Sequence, residues 1–206
     1  SPNNPEVNNY LFILMTEIMN NYKIDGLHLD YIRFQDEYYG FNKEGKRIFI
    51  EEYGFDPKNI YRSFNSNNEV HSEQWNKYNS KNITNLIERV HSYIDGSNYE
   101  IVLSAAVKPN PNEAKLRWKQ HWSDWINNNI IDFVIPMNYS KDINSFIGNI
   151  KLIKDNIGQS KMNKIIMGIS NYNQNEYSVT DKLILTKFNR FNGFCIFSYD
   201  YKKKKS

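Results

Sequence analysis

Helical and strand patterns alternate along this chain of 206 residues, and that alternation constrains its fold more than any other feature. Apolar residues at helical spacing predict a first helix that starts at Asn3-Asn4-Pro5-Glu6 and ends near Tyr22. The predicted strands are 25–34, 99–107, 131–139, 164–170 and 193–199. The other predicted helices are 47–53, one long helix or two within 75–94, 113–127, 143–157 and 181–191. This order predicts parallel strands joined by right-handed helical crossovers.

Two α/β folds with parallel strands remain open. A (β/α)8 barrel of the TIM type has eight strands and typically about 250 residues. If the fold is a barrel, its remaining strands lie upstream of Ser1. The alternative is a complete open sheet of the flavodoxin type, although no Gly-rich phosphate loop follows any predicted strand to support it. We assign residues 1–201 to one domain and residues 202–206 to a basic tail.

Composition excludes several classes of function. The net charge is only +3 at pH 7, and no concentrated basic face is visible, so nucleic acid is not an expected partner. No apolar run is long enough to cross a bilayer, so no membrane span is expected in this segment. The 15 Tyr and 4 Trp residues suffice for a sugar-stacking surface, although ordinary packing accounts for most of them.

The single cysteine and the four histidines predict neither a disulfide nor a metal centre. Cys195 lies within an apolar segment and is expected to be a small core residue. The histidines show no metal-ligand spacing. We therefore expect no metal and no cofactor.

Residues 22–34, with the sequence YKIDGLHLDYIRF, carry the clearest candidate site. Asp25-Gly26 marks a turn. Period-two alternation then predicts one face with His28, Asp30 and Ile32 and another with Leu27, Leu29 and Tyr31. A carboxylate near the carboxyl end of a parallel strand is typical of an active site. The alternative is a buried Asp30 that satisfies local backbone amides.

This segment and several downstream ones closely resemble the glycoside-hydrolase-like family 10 domain. NPEV at 4–7 and residues 22–34 are similar to the family hallmark, approximately NPEV…YDVDGIHLDYIRYP. Trp75 and Asn82 resemble its Trp-containing helix before the fifth strand. The remaining similar segments keep the family's order and are WSDW at 122–125, IDFVIPMNY at 131–139, MGI at 167–169 and FSY at 197–199.

The resemblance, which spans nearly the whole chain, implies both a fold and an activity. It implies a (β/α)8 barrel in which this chain supplies strands four to eight and the upstream half of the barrel is its structural partner. It implies a hydrolase of bacterial cell-wall or related polysaccharides, with peptidoglycan glycan strands favoured. It also implies an extracytoplasmic location, secreted, periplasmic or as a surface lipoprotein. The alternative function is a non-catalytic carbohydrate-binding barrel.

The sequence is also distantly similar to family 18 chitinases, in two strand motifs but not in the residue that donates the proton. Asp25-Gly26 and Asp30 match their fourth-strand motif Asp-Gly-x-Asp-x-Asp-x-Glu, and MNY at 137–139 matches their sixth-strand Met-x-Tyr. His28 stands in place of the second Asp, and Ile32 in place of the acid Glu. The chitinase proton donor is therefore absent, and the substrate-assisted mechanism is not transferred.

Hydrolysis of a glycosidic bond usually needs two carboxyl groups, an acid and a nucleophile or base. Asp30 is the hypothesised acid or electrostatic centre. Glu176, after the predicted strand 164–170, and Asp200, after the last predicted strand, are candidates for the second carboxyl, and the upstream strands are another source. Asp132 precedes its predicted strand, at the opposite end from a barrel active site, and is expected to be structural.

The predicted substrate-binding residues flank Asp30 or end other strands. Asn138 and Tyr139 offer hydrogen bonds at a strand end, with a turn cap as the alternative for Asn138. Trp118, Trp122 and Trp125 form a stripe expected mainly to pack, with Trp118 the best stacking candidate. The complete set is His28, Tyr31, Arg33, Trp118, Asn138, Tyr139 and Tyr199.

Overall fold

The computed structural model describes residues 1–61 and 68–199, which divide into two compact units. The helical unit comprises Ser1–Leu27, Ile32–Ile101 and Lys115–His121. The sheet unit comprises His28–Tyr31, Val102–Ala114 and Trp122–Ser206, and it is described as far as residue 199. The basic tail at 202–206 therefore lies outside the described residues.

Helices and strands alternate along the described chain, as the periodicity predicts. The α-helices are α1 (Pro5–Asn21), α2 (Lys43–Tyr53), α3 (Asn68–Asp95), α4 (Pro111–Arg117), α5 (Trp122–Asn127), α6 (Ile143–Asn156) and α7 (Glu176–Phe188). Two 3-10 helices occupy Pro57–Tyr61 and Gln159–Lys164. The strands are β1 (Gly26–Leu29), β2 (Val102–Val107), β3 (Phe133–Pro136), β4 (Ile166–Ser170) and β5 (Gly193–Phe197).

The strands lie side by side in chain order. One sheet has the order β1-β2-β3, and a second contains β4 and β5. The pairs β2–β3 and β4–β5 are parallel, and parallel bridges from Val134 to Ile165 and from Met137 to Gly168 connect β3 to β4. A flavodoxin-type sheet has the order 2-1-3-4-5, so the observed order differs from that alternative. The fold is mixed α/β with short parallel sheets and is compatible with part of a barrel.

The observed bounds of two elements differ from the predicted ones at residues with a left-handed backbone conformation. The predicted strand 25–34 ends at Leu29, because Tyr31 adopts a φ of 56°. The predicted helix 113–127 is divided into α4 and α5, because Lys119 between them also has a φ of 56°. Trp118 therefore lies in the connection and shares no helical stripe with Trp122 and Trp125, both of which are fully buried.

Cys195 and the start of α7 also differ from the predictions. The expectation that Cys195 is a core residue is wrong, because both faces of β5 leave side chains exposed and its thiol is among them. The helix predicted from 181 begins at Glu176, since the Asn175 side chain caps it by accepting a hydrogen bond from the Ser178 amide at 2.9 Å.

The start of the chain is locked into the helical unit by buried asparagines. Asn4 caps α1 by accepting from the Glu6 amide at 2.9 Å, and Pro5 occupies the first turn, as the sequence predicts. The fully buried Asn3 donates to the Gly40 carbonyl at 2.7 Å and to Asn79 Oδ1 at 2.8 Å. These bonds hold the connection that follows residue 32 against α3.

Gly168 permits β4 to approach β3 closely. A Cβ atom at Gly168 would lie 2.8 Å from the Pro136 carbonyl oxygen, which is backbone and cannot turn away. Gly168→Ala is therefore expected to lower the free energy of unfolding by about 1–3 kcal/mol, as overpacking does.

Gly148 provides the matched control for that substitution. It is exposed within α6, and a Cβ there would meet nothing within 4 Å, so Gly148→Ala is expected to raise stability by up to about 1 kcal/mol. Urea unfolding of both variants measures the difference. Equal stability of Gly168→Ala and the parent protein would contradict the close approach.

Candidate functional site

One face of the sheet in the sheet unit carries two serines and a cysteine among apolar residues. In β3, Val134 and Pro136 are buried, whereas Phe133 and Ile135 are half-buried. We call the side with Phe133 and Ile135 the open face. Directly paired residues of parallel strands point to the same side of the sheet. The strand pairing therefore shows which residues of the neighbouring strands lie on the open face. The residues placed on it by register are Ser104, Ala106, Met137, Ile166, Gly168, Ser170, Gly193, Cys195 and Phe197.

His28 and Asp30 lie at the carboxyl end of β1. His28 Nδ1 is 2.9 Å from Ser104 Oγ, which places His28 on the open face. Burial lowers the pKa of His28, and the neighbouring Asp30 charge opposes that shift. The lowered pKa favours the neutral form of His28 at pH 7. Asp30 Oδ1 accepts a hydrogen bond from the Tyr31 amide at 2.7 Å, which orients an exposed carboxylate.

Three aromatic rings stand where β3, β4 and β5 end, and we call Tyr139, Tyr172 and Phe197 the aromatic cluster. Tyr139 stacks on Phe197 with centroids 5.7 Å apart and an interplanar angle of 12°. Tyr172 meets both rings edge-on, at 6.4 Å from Tyr139 and 6.2 Å from Phe197. Phe197 is 53% and Tyr172 is 43% exposed, so the cluster presents apolar ring surface to solvent.

Tyr139 is the half-buried member of the aromatic cluster. Burial of the ring, together with the charges of Cys195, Tyr172 and Asp30, raises the pKa of Tyr139 to about 12. The phenol therefore keeps its proton throughout the physiological range and remains a hydrogen-bond donor. Asp30 and Tyr139 thus supply an acceptor and a donor within the sheet unit.

Asparagine side chains fasten the strand ends that carry the cluster. Asn173 Nδ2 donates to the Tyr139 carbonyl at 3.2 Å, and Ser170 Oγ lies 2.7 Å from Asn173 Oδ1. Asn171 donates through its amide to the Phe197 carbonyl at 2.9 Å and accepts from the Ser198 amide at 2.8 Å. The connection after β4 therefore holds the ends of both β3 and β5.

A buried lysine supports the same connections from α7. Lys182 is fully buried, and its Nζ donates to the Ser140 carbonyl at 2.7 Å, to the Lys141 carbonyl at 3.1 Å and to Gln174 Oε1. Burial lowers the pKa of Lys182, and Asp142 opposes the shift. No carboxylate among the described residues forms an ion pair with it, so backbone carbonyls and one amide hold this cation.

The Asn138 side chain forms its hydrogen bonds with α6 and with Ser140. Its side chain is fully buried, and Nδ2 donates to the Phe146 carbonyl at 3.0 Å while Oδ1 accepts from Asn149 Nδ2 at 2.9 Å. Ser140 Oγ also donates to that oxygen at 3.1 Å. The asparagine therefore anchors α6. Of the two sugar contacts predicted at the end of β3, Tyr139 is the one whose side chain is not held in this way.

The other predicted residues of the sheet unit are found in varied settings. Tyr31 is 66% exposed beside Asp30, and Tyr199 is 95% exposed beyond the end of β5. Glu176 is the first residue of α7, where a carboxylate is favoured by the helix dipole. Asp200 lies outside the described residues. Asp132 binds at the start of β2, where its Oδ2 accepts from the Leu103 amide at 2.7 Å, which gives it the expected structural role.

Arg33 and Trp118 belong to the helical unit. Arg33 donates to the Phe34 carbonyl at 3.2 Å, and the Phe34 amide donates to the Trp118 carbonyl at 3.0 Å. The guanidinium of Arg117 lies 5.0 Å from the Trp118 ring centroid and binds both carboxylate oxygens of Asp36, at 2.7 and 2.9 Å. That guanidinium lowers the pKa of Asp36 to about 2 and covers one face of the indole.

His28, Asp30 and Tyr139 are predicted site residues, and the structure adds the residues that surround and support them, which the sequence did not single out. Ser104 was detectable as a polar residue in a β-rich run, and Tyr172 and Phe197 as aromatic residues at strand ends. Lys182 was detectable only as a lysine on the inward stripe of a helix, which is a weak signal.

Comparison with known proteins identifies the family. The model of the glycosyl hydrolase-like 10 family matches residues 1–184. The chain belongs to this family of glycosyl hydrolase-like domains. No curated protein matches the sequence. Among residues 1–61 and 68–199, no helix combines the length and apolar character needed to cross a membrane.

Proposed function

We propose that this protein is a glycoside hydrolase that cleaves a bacterial cell-wall or related polysaccharide, with peptidoglycan glycan strands favoured. Family membership suggests a glycosidase-like role. The observation that carries the proposal is the exposed aromatic cluster at the strand ends, in the same sheet unit as the exposed Asp30 carboxylate. Aromatic rings bind the apolar faces of sugars, and a carboxylate nearby supplies acid–base chemistry.

The proposal includes a complete barrel and an extracytoplasmic location. The strands β1 to β5 correspond to strands four to eight of a (β/α)8 barrel, and upstream sequence supplies the others. The order β1-β2-β3 followed by β4 and β5, with parallel pairing from β2 onward, supports this correspondence. The location follows from the substrate, because peptidoglycan strands lie outside the cytoplasmic membrane.

Asp30 acts as the acid or electrostatic centre in this proposal. His28 and Tyr139 contact the sugar beside it, and Phe197 stacks on the ring. The second carboxyl group that hydrolysis requires comes from Glu176, from Asp200 or from an upstream strand. Tyr31, Arg33, Trp118 and Tyr199 remain predicted substrate contacts.

A non-catalytic carbohydrate-binding barrel is the second candidate. The observation that favours it is Ile32, which stands where chitinases carry their acid and is only 7% exposed. An aliphatic side chain cannot donate a proton to a leaving oxygen. Glycan binding without any turnover would support this alternative.

Phe197→Ala tests the surface that carries the proposal. In the full-length protein we expect this variant to bind chitooligosaccharides and peptide-free peptidoglycan strands at least tenfold more weakly, which corresponds to about 1.4 kcal/mol. The expected cause is the loss of the stacking ring at the exposed end of β5.

Phe188→Ala is the matched control, because Phe188 is 82% exposed on α7 and lies outside the aromatic cluster. Titration calorimetry gives the dissociation constants, and release of reducing ends measures turnover by the parent protein. Unchanged affinity of Phe197→Ala would remove the aromatic cluster from the binding surface.

A further inference from the structure

The helical unit contains a cleft that the proposed function does not use. It has a volume of about 490 Å³ and lies where α3 ends and the chain turns toward β2. Sites for small molecules typically span about 300–1,000 Å³. The lining residues are Ser92, Tyr93, Gly96, Ser97, Asn98 and Tyr99.

Two tyrosines of this cleft are fixed by one asparagine. Tyr93 and Tyr99 both donate their hydroxyl hydrogens to Asn20 Oδ1, at 2.7 and 3.0 Å. The Tyr93 ring also meets Phe12 edge-on, with centroids 6.0 Å apart. Rings held in place before binding lose little conformational freedom when a ligand arrives.

The loop between the two tyrosines is internally bonded. Ser97 Oγ donates to the Ile94 carbonyl at 2.7 Å and accepts from the Tyr99 amide at 3.1 Å. Ser92 and Asn98 are exposed, and neither side chain forms a hydrogen bond within the described part of the chain. The loop therefore presents a hydroxyl and an amide toward the solvent.

The chemistry of the lining defines the ligand class. None of the six lining residues is charged, so the cleft supplies no charge to balance that of a phosphate or a metal ion. Fixed aromatic rings suit the apolar faces of sugar rings, and amide and hydroxyl groups suit sugar hydroxyls. We propose that this cleft is a second carbohydrate-binding site, which holds a short neutral segment of glycan without cleaving it.

Substitutions at Tyr99 and Asn98 test the site. The full-length protein carries Phe197→Ala throughout, so that binding at the aromatic cluster is weakened, and the probes are chitotetraose, cellotetraose and maltotetraose. We expect at least one probe to bind, Tyr99→Ala to weaken that binding at least tenfold, and Asn98→Ala to weaken it severalfold. Asn98 takes no part in the Tyr–Asn20 bonds, so Asn98→Ala changes the lining without removing a partner of either tyrosine.

Tyr10→Ala is the matched control, because Tyr10 is 60% exposed on α1 and lies outside the cleft. Titration calorimetry gives affinities, and thermal melts check folding. Failure of all three probes to bind, or unchanged affinity of both cleft variants, would overturn the second site. Neither result tests the proposed hydrolase function. That function is tested by the single variant Phe197→Ala, in which the cleft keeps its wild-type residues.

Discussion

Asp30→Asn is expected to lower kcat and kcat/KM for glycan hydrolysis by about 10²–10⁴-fold, the contribution typical of a general acid or base. The amide cannot supply the proton or the charge of the carboxylate. Folding is expected to be unaffected, because Asp30 is exposed and its carboxylate accepts a hydrogen bond from the Tyr31 amide, which the side-chain oxygen of Asn can also accept. Release of reducing ends from peptide-free peptidoglycan strands measures the loss in the full-length protein.

Asp155→Asn serves as the control for that change, since Asp155 is an exposed carboxylate on α6. Normal turnover by Asp155→Asn and none by Asp30→Asn would establish a hydrolase with Asp30 in its active site. Equal turnover by both variants would remove Asp30 from the mechanism. No turnover by the parent protein, on a cooperatively folded sample that binds glycan, would favour the carbohydrate-binding barrel.

Lys182→Met is expected to lower the free energy of unfolding by about 2 kcal/mol. The methionine fills a similar volume but leaves the carbonyls of Ser140 and Lys141 and the Gln174 side chain without their donor. A buried polar group without a partner costs about 1–3 kcal/mol. Release of the lysine's own burial penalty offsets part of that cost, as its lowered pKa indicates.

Lys182→Met is also expected to affect glycan binding at the aromatic cluster. Ser140 follows Tyr139 directly, so loosening that connection is expected to weaken glycan binding as well as stability. Lys187→Met on the exposed side of α7 is the control and is expected to change stability by less than about 0.5 kcal/mol. Urea unfolding and titration calorimetry measure the two effects. A Lys182→Met protein as stable as Lys187→Met would show that water replaces the lost donor.

Features that depend only on residues close together along the chain were predictable from the sequence. The start of the first helix at Asn3-Asn4-Pro5-Glu6 follows from helix geometry alone, and it is confirmed. Period-two alternation also predicted a polar face with His28 and Asp30; His28 lies within β1, whereas Asp30 follows its last residue. Element ends were less predictable, because nothing local shows that Tyr31 and Lys119 adopt left-handed backbone conformations.

The sequence by itself therefore determined the alternating α/β order, the family and the candidate carboxylate at the end of β1. Only the tertiary structure decided that Tyr172 and Phe197 join Tyr139, that Asn138 is committed to α6 and that Lys182 holds the connection after β3. The physical reason is distance along the chain. Periodicity and capping act within a few residues, whereas register between parallel strands brings together side chains separated by a whole crossover.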